Sequence, residues 1–264
     1  MSTNTPTTAS NQFEVRPPEY LERFDVFRQE VSFQQIIGAV EKATSSITDS
    51  LVVCDAMSGT GKVGNAIREA MGERIREILF VDGSSKMLEA TNTDPRDKKV
   101  LCDCEDLPFD DDTIHALVSR YGINNVEKHQ YPKIISEYLR TTTPDGVIVI
   151  QDHFPTDARM GELINTVEAF IAKEDGRNDN PYIATTNEFR EITERSGGQV
   201  VRQEAFVYTY SVKERFNSKG KKDIDLSPLK AKIAPFVSTG LFQIQDDDII
   251  FHYPITTFSI QKTA

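Results

Sequence analysis

Several things are missing from this chain, and each absence excludes something. No stretch of its 264 residues approaches the run of about 20 apolar residues that a membrane-spanning helix needs, so the sequence reads as soluble, with no membrane partner. Met1 to Gln12 has neither the basic start nor the apolar centre of a secretory signal and reads as a disordered tail over residues 1–12. Basic residues are the scarcer charge. Thirty Lys and Arg stand against forty-one Asp and Glu, and a net charge of −11 repels a phosphate backbone. Beyond Lys219 to Lys222 there is no basic stretch, so no nucleic-acid partner is expected. The three cysteines, Cys54, Cys102 and Cys104, have neither metal-ligand spacing nor a disulfide framework, which predicts no metal and a reducing, cytoplasmic setting. No repeat and no second-domain boundary stands out, so residues 13–264 are expected to form one domain.

What is present centres on Leu51 to Gly64, LVVCDAMSGTGKVG. Leu51 to Cys54 has the β-branched content and brevity of a buried parallel strand, with Asp55 where it emerges. Ser58, Gly59, Thr60 and Gly61 make a tight turn, and Lys62 to Met71 reads as a helix. A strand, a tight loop and a helix N-terminus bind nucleotide-like ligands at the strand's carboxyl edge. A Walker loop is excluded, because Ala56 and Val63 stand where it needs a glycine and a Ser or Thr. Gly59, Gly61 and Gly64 fit the dinucleotide spacing G-x-G-x-x-G.

Four further strands follow. Ile78 to Val81 ends at Asp82, whose two oxygens suit the two hydroxyls of a ribose, while Ser84 or Ser85 caps the next helix. Lys99 to Cys102 leads into an acidic turn, and Ile114 to Ser119 runs into Arg120-Tyr121-Gly122-Ile123-Asn124-Asn125. That loop sets aromatic and polar groups, Tyr121, Asn124 and Asn125, at a strand's carboxyl end, where they are candidates to meet a ligand, with a purely structural turn as the alternative. A helix over Lys128 to Thr141 and a turn at Pro144-Asp145-Gly146 precede a strand over Val147 to Ile150. His153 follows that strand; it is either catalytic or a buried, hydrogen-bonded group, and its neighbour Asp152 points the other way along an extended chain. Helices over Ala158 to Lys173 and Thr186 to Ser196, and antiparallel strands over Gln199 to Val212 and Ile249 to Ile260, complete the chain around a cap insertion, 213–248.

Asp55-Ala56-Met57-Ser58-Gly59-Thr60-Gly61 resembles motif I of the class I S-adenosylmethionine-dependent methyltransferases, an acidic residue followed by x-Gly-x-Gly-x-Gly. Met57 departs from it by occupying the place of the first glycine. Val81 to Leu88 is similar to the family's Val-Asp-x-Ser and Met-Leu segment, Asp103 to Phe109 to its Asp-Ala-Glu-x-Leu-Pro-Phe, and the turn before Val147 to its Pro-Gly-Gly. The resemblance covers about Val52 to Ile150. It implies an α/β, Rossmann-like fold: a seven-stranded, mostly parallel sheet, helices on both faces and an antiparallel terminal strand. It implies S-adenosyl-L-methionine as cosubstrate, held by Asp55, Met57, Gly59, Gly61, Asp82, Gly83, Met87 and Arg120, with Asp103 accepting from the adenine amino group and the Cys104 backbone at the ring edge. It makes 19–46 a pair of lid helices with Tyr20 a cofactor contact; the alternative is that their aromatic face packs on the sheet.

Methyl transfer to a small molecule of natural-product or amino-acid size is the function this resemblance implies. Departure of a neutral thioether needs little acid or base, which suits a sequence without a catalytic triad. A long side chain at Met57 raises an alternative. By bending the aminocarboxypropyl tail it would let the amine close a ring on the γ-carbon and release methylthioadenosine, as in the azetidine-2-carboxylate synthases. Non-catalytic cofactor binding is the third reading. Oligomeric state and the acceptor atom have no signature.

Overall fold

The computed structural model describes residues 30–176, 183–217, 220–221 and 223–263. Among the described residues two compact units emerge: one contains 30–152, 190–204 and 257–263, the other 153–176, 183–189 and the described part of 205–256. Tyr20, the tail and the start of the expected lid lie outside the described residues.

The first unit is built around β1, Leu51–Ala56, which is buried along its whole length. β1 pairs in parallel with β2 (Ile75–Asp82) on one side and β4 (Ile114–Arg120) on the other. Beyond these lie β3 (Lys98–Leu101), parallel to β2, and β5 (Thr142–Asp152), parallel to β4. β6 (Gly198–Ser211) and β8 (Ile249–Lys262) complete the order β3-β2-β1-β4-β5-β8-β6. The chain leaves β1 for β2 on one side and returns to its other side as β4. That reversal opens a crevice at the carboxyl ends of β1 and β4, where open α/β sheets take their ligands.

Helices α1 (Glu30–Ala43) and α2 (Lys62–Met71) cover this sheet. Ile36, Ala39 and Val40 of α1 and Val63 and Ile67 of α2 share one apolar core with Val53, Phe80, Val118 and Val149. α3 (Ser85–Glu89) is capped by Ser84, whose Oγ accepts from Met87 N–H. α4 (Tyr131–Thr141) begins after a tight turn at 128–130, later than expected. The expected turn at Pro144-Asp145-Gly146 lies inside β5. Ile114 pairs with Thr142 and Ala116 with Val147, so the extra residues form a bulge without ending the strand.

The second unit holds α5 (Ala158–Glu174), the first residues of α6 (Thr186–Arg195), α7 (Val212–Asn217), α8 (Ser227–Ile233) and β7 (Phe242–Ile244). β7 is the eighth strand, where seven were expected, and it runs antiparallel to β8 with Phe242 opposite Phe251. Its core is aromatic: Tyr210 and Tyr253 stack with centroids 5.6 Å apart, and Phe251 leans on Tyr253 at 4.9 Å.

Candidate active site

The first strand-end loop is shaped by its glycines. Gly61 adopts φ +72°, and a Cβ there would come within 2.3 Å of Thr91 Cγ2 and 2.8 Å of the Phe80 ring. Only glycine satisfies both conditions. Gly59, also left-handed at φ 55°, donates its N–H to Asp82 Oδ2 at 2.8 Å, and Ser84 N–H binds Asp82 Oδ1 at 2.9 Å. Asp82 is thereby fixed at the end of β2.

Asp55 points the other way. Its Oδ2 accepts from Gly64 N–H at 2.8 Å and so ties β1 to the first turn of α2. Burial drives its pKa up to about 8, against the Gly64 hydrogen bond; Asp82 adds to the rise and Arg120 opposes it. Past β3, Asp103 Oδ1 accepts from Glu105 N–H at 3.0 Å, while Cys104 is buried and its thiol pushed well above the ordinary range by that burial. Gly83 lies between Asp82 and Ser84, and Met87 is buried in α3.

Met57 adopts φ 55°, a left-handed conformation that favours glycine. It lies against Gly122 in the loop after β4: a Cβ on Gly122 would meet Met57 Cβ at 2.6 Å and its sulfur at 2.7 Å. The two loops flanking the crevice therefore exchange a glycine for a methionine across the gap.

After β4, the Arg120 guanidinium is sandwiched between the rings of Phe33, at 4.6 Å, and Tyr121, at 4.4 Å. Burial lowers its pKa, opposed by Tyr121, Asp55 and Asp152. Its Nε–H reaches Ser32 Oγ at 2.9 Å and Gln151 Oε1 at 3.3 Å. Tyr121 is left-handed at φ 54° and donates its N–H to Gln151 O at 2.9 Å; burial raises its hydroxyl to about 12. Asn125 Nδ2 donates to Tyr121 O at 2.8 Å, closing the turn. Asn124 Oδ1 accepts from Tyr131 OH at 2.6 Å, and its N–H binds Asp152 Oδ2 at 3.2 Å. Both asparagines thus hold the loop in place.

The strand ends of the first unit therefore gather Asp55, Met57, Gly59, Gly61, Asp82, Gly83, Asp103, Cys104, Arg120, Tyr121, Asn124 and Asn125. His153 belongs to the second unit, where its ring packs on Tyr253 at 4.3 Å and Tyr253 OH binds Glu168 at 2.7 Å. Sequence reasoning missed Ser32, Phe33 and Gln151, since no motif marks them and only the fold brings α1 to the ends of β4 and β5. Among the described residues no cluster of His, Cys, Asp or Glu could hold a metal ion, and no helix is long and apolar enough to cross a membrane.

Residues 53–146 match a family model described as a methyltransferase domain. The chain is 25% identical over 127 residues to a ubiquinone/menaquinone biosynthesis C-methyltransferase of Idiomarina loihiensis, covering 45% of this chain and 49% of that protein. It is 35% identical over 102 residues to a demethylmenaquinone methyltransferase of Clavibacter sepedonicus, covering 37% and 39%. The match thus spans less than half the length of these relatives. In fold, the chain is similar to a putative methyltransferase of Bacillus halodurans, with a TM-score of 0.69 at 15% identity, covering 89% of this chain and 100% of that one.

Proposed function

We propose that this chain, whose residues 53–146 form a methyltransferase domain of the class I, S-adenosylmethionine-dependent superfamily, transfers the methyl group of S-adenosylmethionine to a small molecule. The observation that carries this reading is Asp82, anchored at the end of β2 by the N–H groups of Gly59 and Ser84. Those bonds hold the carboxylate at the end of β2, and a carboxylate there suits the hydroxyls of a ribose because it is an acceptor only. Asp103, one strand further, is assigned to the adenine amino group, with the Cys104 backbone at the ring edge. Arg120 is assigned to the carboxylate of the methionine end, since a buried guanidinium between two rings is a fixed positive charge.

Bound S-adenosylmethionine supplies an electrophilic methyl carbon on a sulfonium. What the chain adds is alignment, because holding nucleophile, carbon and sulfur in line lowers the barrier without proton transfer. Tyr121 and Asn124 lie on the loop that would meet the acceptor. The acidic surface, at net charge −11, favours a small acceptor over nucleic acid.

A second reading is favoured by Met57, whose side chain occupies the space at Gly122. If it bends the aminocarboxypropyl tail, the amine nitrogen attacks the γ-carbon, the C–S electron pair leaves with sulfur and the ammonium loses a proton. The products are a four-membered amino acid and methylthioadenosine. Incubation with S-adenosylmethionine alone, followed by mass spectrometry, separates the two. Methyl transfer predicts no turnover until an acceptor is added and then S-adenosylhomocysteine; methylthioadenosine formed without an acceptor would overturn it. Asp82→Ala should weaken S-adenosylmethionine binding about tenfold or more, read by calorimetry.

A further inference from the structure

The turn assigned to the adenine, Asp103 to Asp106, follows β3, a short and mostly exposed strand at the edge of the sheet. Such a strand gives the loop behind it little to hold to, and Pro108 lacks the N–H that further pairing would need. The loop's backbone groups must find partners elsewhere, and they find them on α4. Leu107 N–H donates to Glu137 Oε2 at 2.9 Å. Arg140 Nη2 donates to Leu107 O at 3.0 Å, and Arg140 Nη1 to Phe109 O at 2.8 Å. Nη1 also donates to Asp111 Oδ1, while Nε and Nη2 take the two carboxylate oxygens of Glu137, each of these bonds being 2.8 Å. A guanidinium has five N–H groups, and here every one is placed.

The same helix and the turn before it hold the upstream side. The Glu105 carboxylate accepts from Gln130 Nε2 and, at 3.3 Å, from Lys133 Nζ. Cys104 is buried, with its thiol beside the Tyr138 hydroxyl of α4. An ion pair that water can reach contributes little by its charge alone. What the Glu137–Arg140 pair supplies is geometry, since a planar fork fixes the directions of all its partners at once. We propose that Glu137 and Arg140 are positioning residues for adenine recognition: they hold the loop so that Asp103 and the Cys104 backbone meet the amino edge of the purine. This rests on the reading that the crevice binds S-adenosylmethionine.

The test compares two probes by calorimetry: S-adenosylhomocysteine, and S-inosylhomocysteine, in which an oxo group replaces the purine's amino group. The wild-type protein should prefer the first about tenfold or more, since a hydrogen bond to a carboxylate is available only to the amine. Arg140→Met should weaken S-adenosylhomocysteine about tenfold and S-inosylhomocysteine by less than about twofold, so that the preference collapses. Arg140→Lys keeps the charge but cannot reach Glu137, Leu107 and Phe109 together, and should lose about threefold or more of the preference. If Arg140→Met does not fold, Arg140→Lys decides alone. A part that is only structural would weaken both probes alike. Equal weakening of the two probes in the folded variant, or an unchanged preference, overturns the inference. A wild-type protein that binds neither probe, or binds both equally, overturns the cofactor reading itself.

Discussion

Met57 is a side chain where the backbone favours none. At φ 55° it carries the strain of the left-handed region, roughly 1 kcal/mol for a residue with a Cβ, which its contact with Gly122 helps to offset. Gly122 is itself right-handed at φ −104°, so its need for glycine is one of space and not of backbone angle. A methyl group there would meet Met57 Cβ at 2.6 Å, and Cβ cannot swing away as a side-chain tip can. Gly122→Ala should therefore destabilise the protein by about 1–3 kcal/mol, and adding Met57→Gly should recover most of the loss. Urea unfolding of both single variants and the double variant measures this; additive losses would show that the two loops do not touch. Met57→Gly also bears on chemistry: an unchanged product distribution removes the steric case for ring closure. The departure at Met57 is legible in the sequence. Its answer at Gly122 is not, because 64 residues of chain separate two positions that only the β1–β4 pairing brings together.

Among elements, the connection from β2 to β3 shows where a structural acid is easily taken for a solvated one. Asp97 accepts from Ile78 N–H at 2.8 Å and Asp94 N–H at 3.0 Å, and it pairs with Arg68 of α2. Its side chain is fully buried, so it fastens the connector, the strand and the helix at one point. Removing one partner of such a pair leaves a buried charge and two unpaired donors. Asp97→Ala should cost about 3–5 kcal/mol, seen as a lowered melting temperature, and a loss under about 1 kcal/mol would refute the link. Nothing in the run Thr93 to Lys98 separates Asp97 from Asp94, whose partner is the exposed Arg96 beside it. By contrast β1, β2 and β4 are plain in the sequence, since strands buried on both faces are written as short apolar runs. β5 is half legible: Val147 to Ile150 is such a run, but its first residues, Thr142 to Gly146, carry turn chemistry that the fold absorbs as a bulge. The acid set of the site is legible because it follows those strands directly, whereas Ser32 and Gln151 come from two elements far apart in the chain.

At the scale of the whole molecule, residues of β6 and of β8 are divided between the two units. Global stability, by contrast, has a signature that one residue sets. Most shifted carboxyls here lie low: Asp94, bonded to Arg96, falls to about 2, and Glu137, bonded to Arg140, is also lowered. Groups of this kind contribute stability above their unfolded pKa and lose it only as the solution turns strongly acid. Asp55 is driven the other way, from 3.8 to about 8, chiefly by burial. Between those two values the folded protein holds a proton that the unfolded chain has released. Its contribution is therefore complete below about pH 4 and is lost as pH rises through 8, with a slope of at most about 1.4 kcal/mol per pH unit. Urea unfolding of the wild-type protein should show stability falling from pH 5.5 to 8.5. Asp55→Asn is neutral throughout and can still accept from Gly64 N–H, so it should flatten the slope over that window. Parallel pH profiles for the two proteins would place the titrating group elsewhere. A flattened one would mean that near neutral pH Asp55 is held protonated, so that the charge of Arg120 is not spent on the acid of β1.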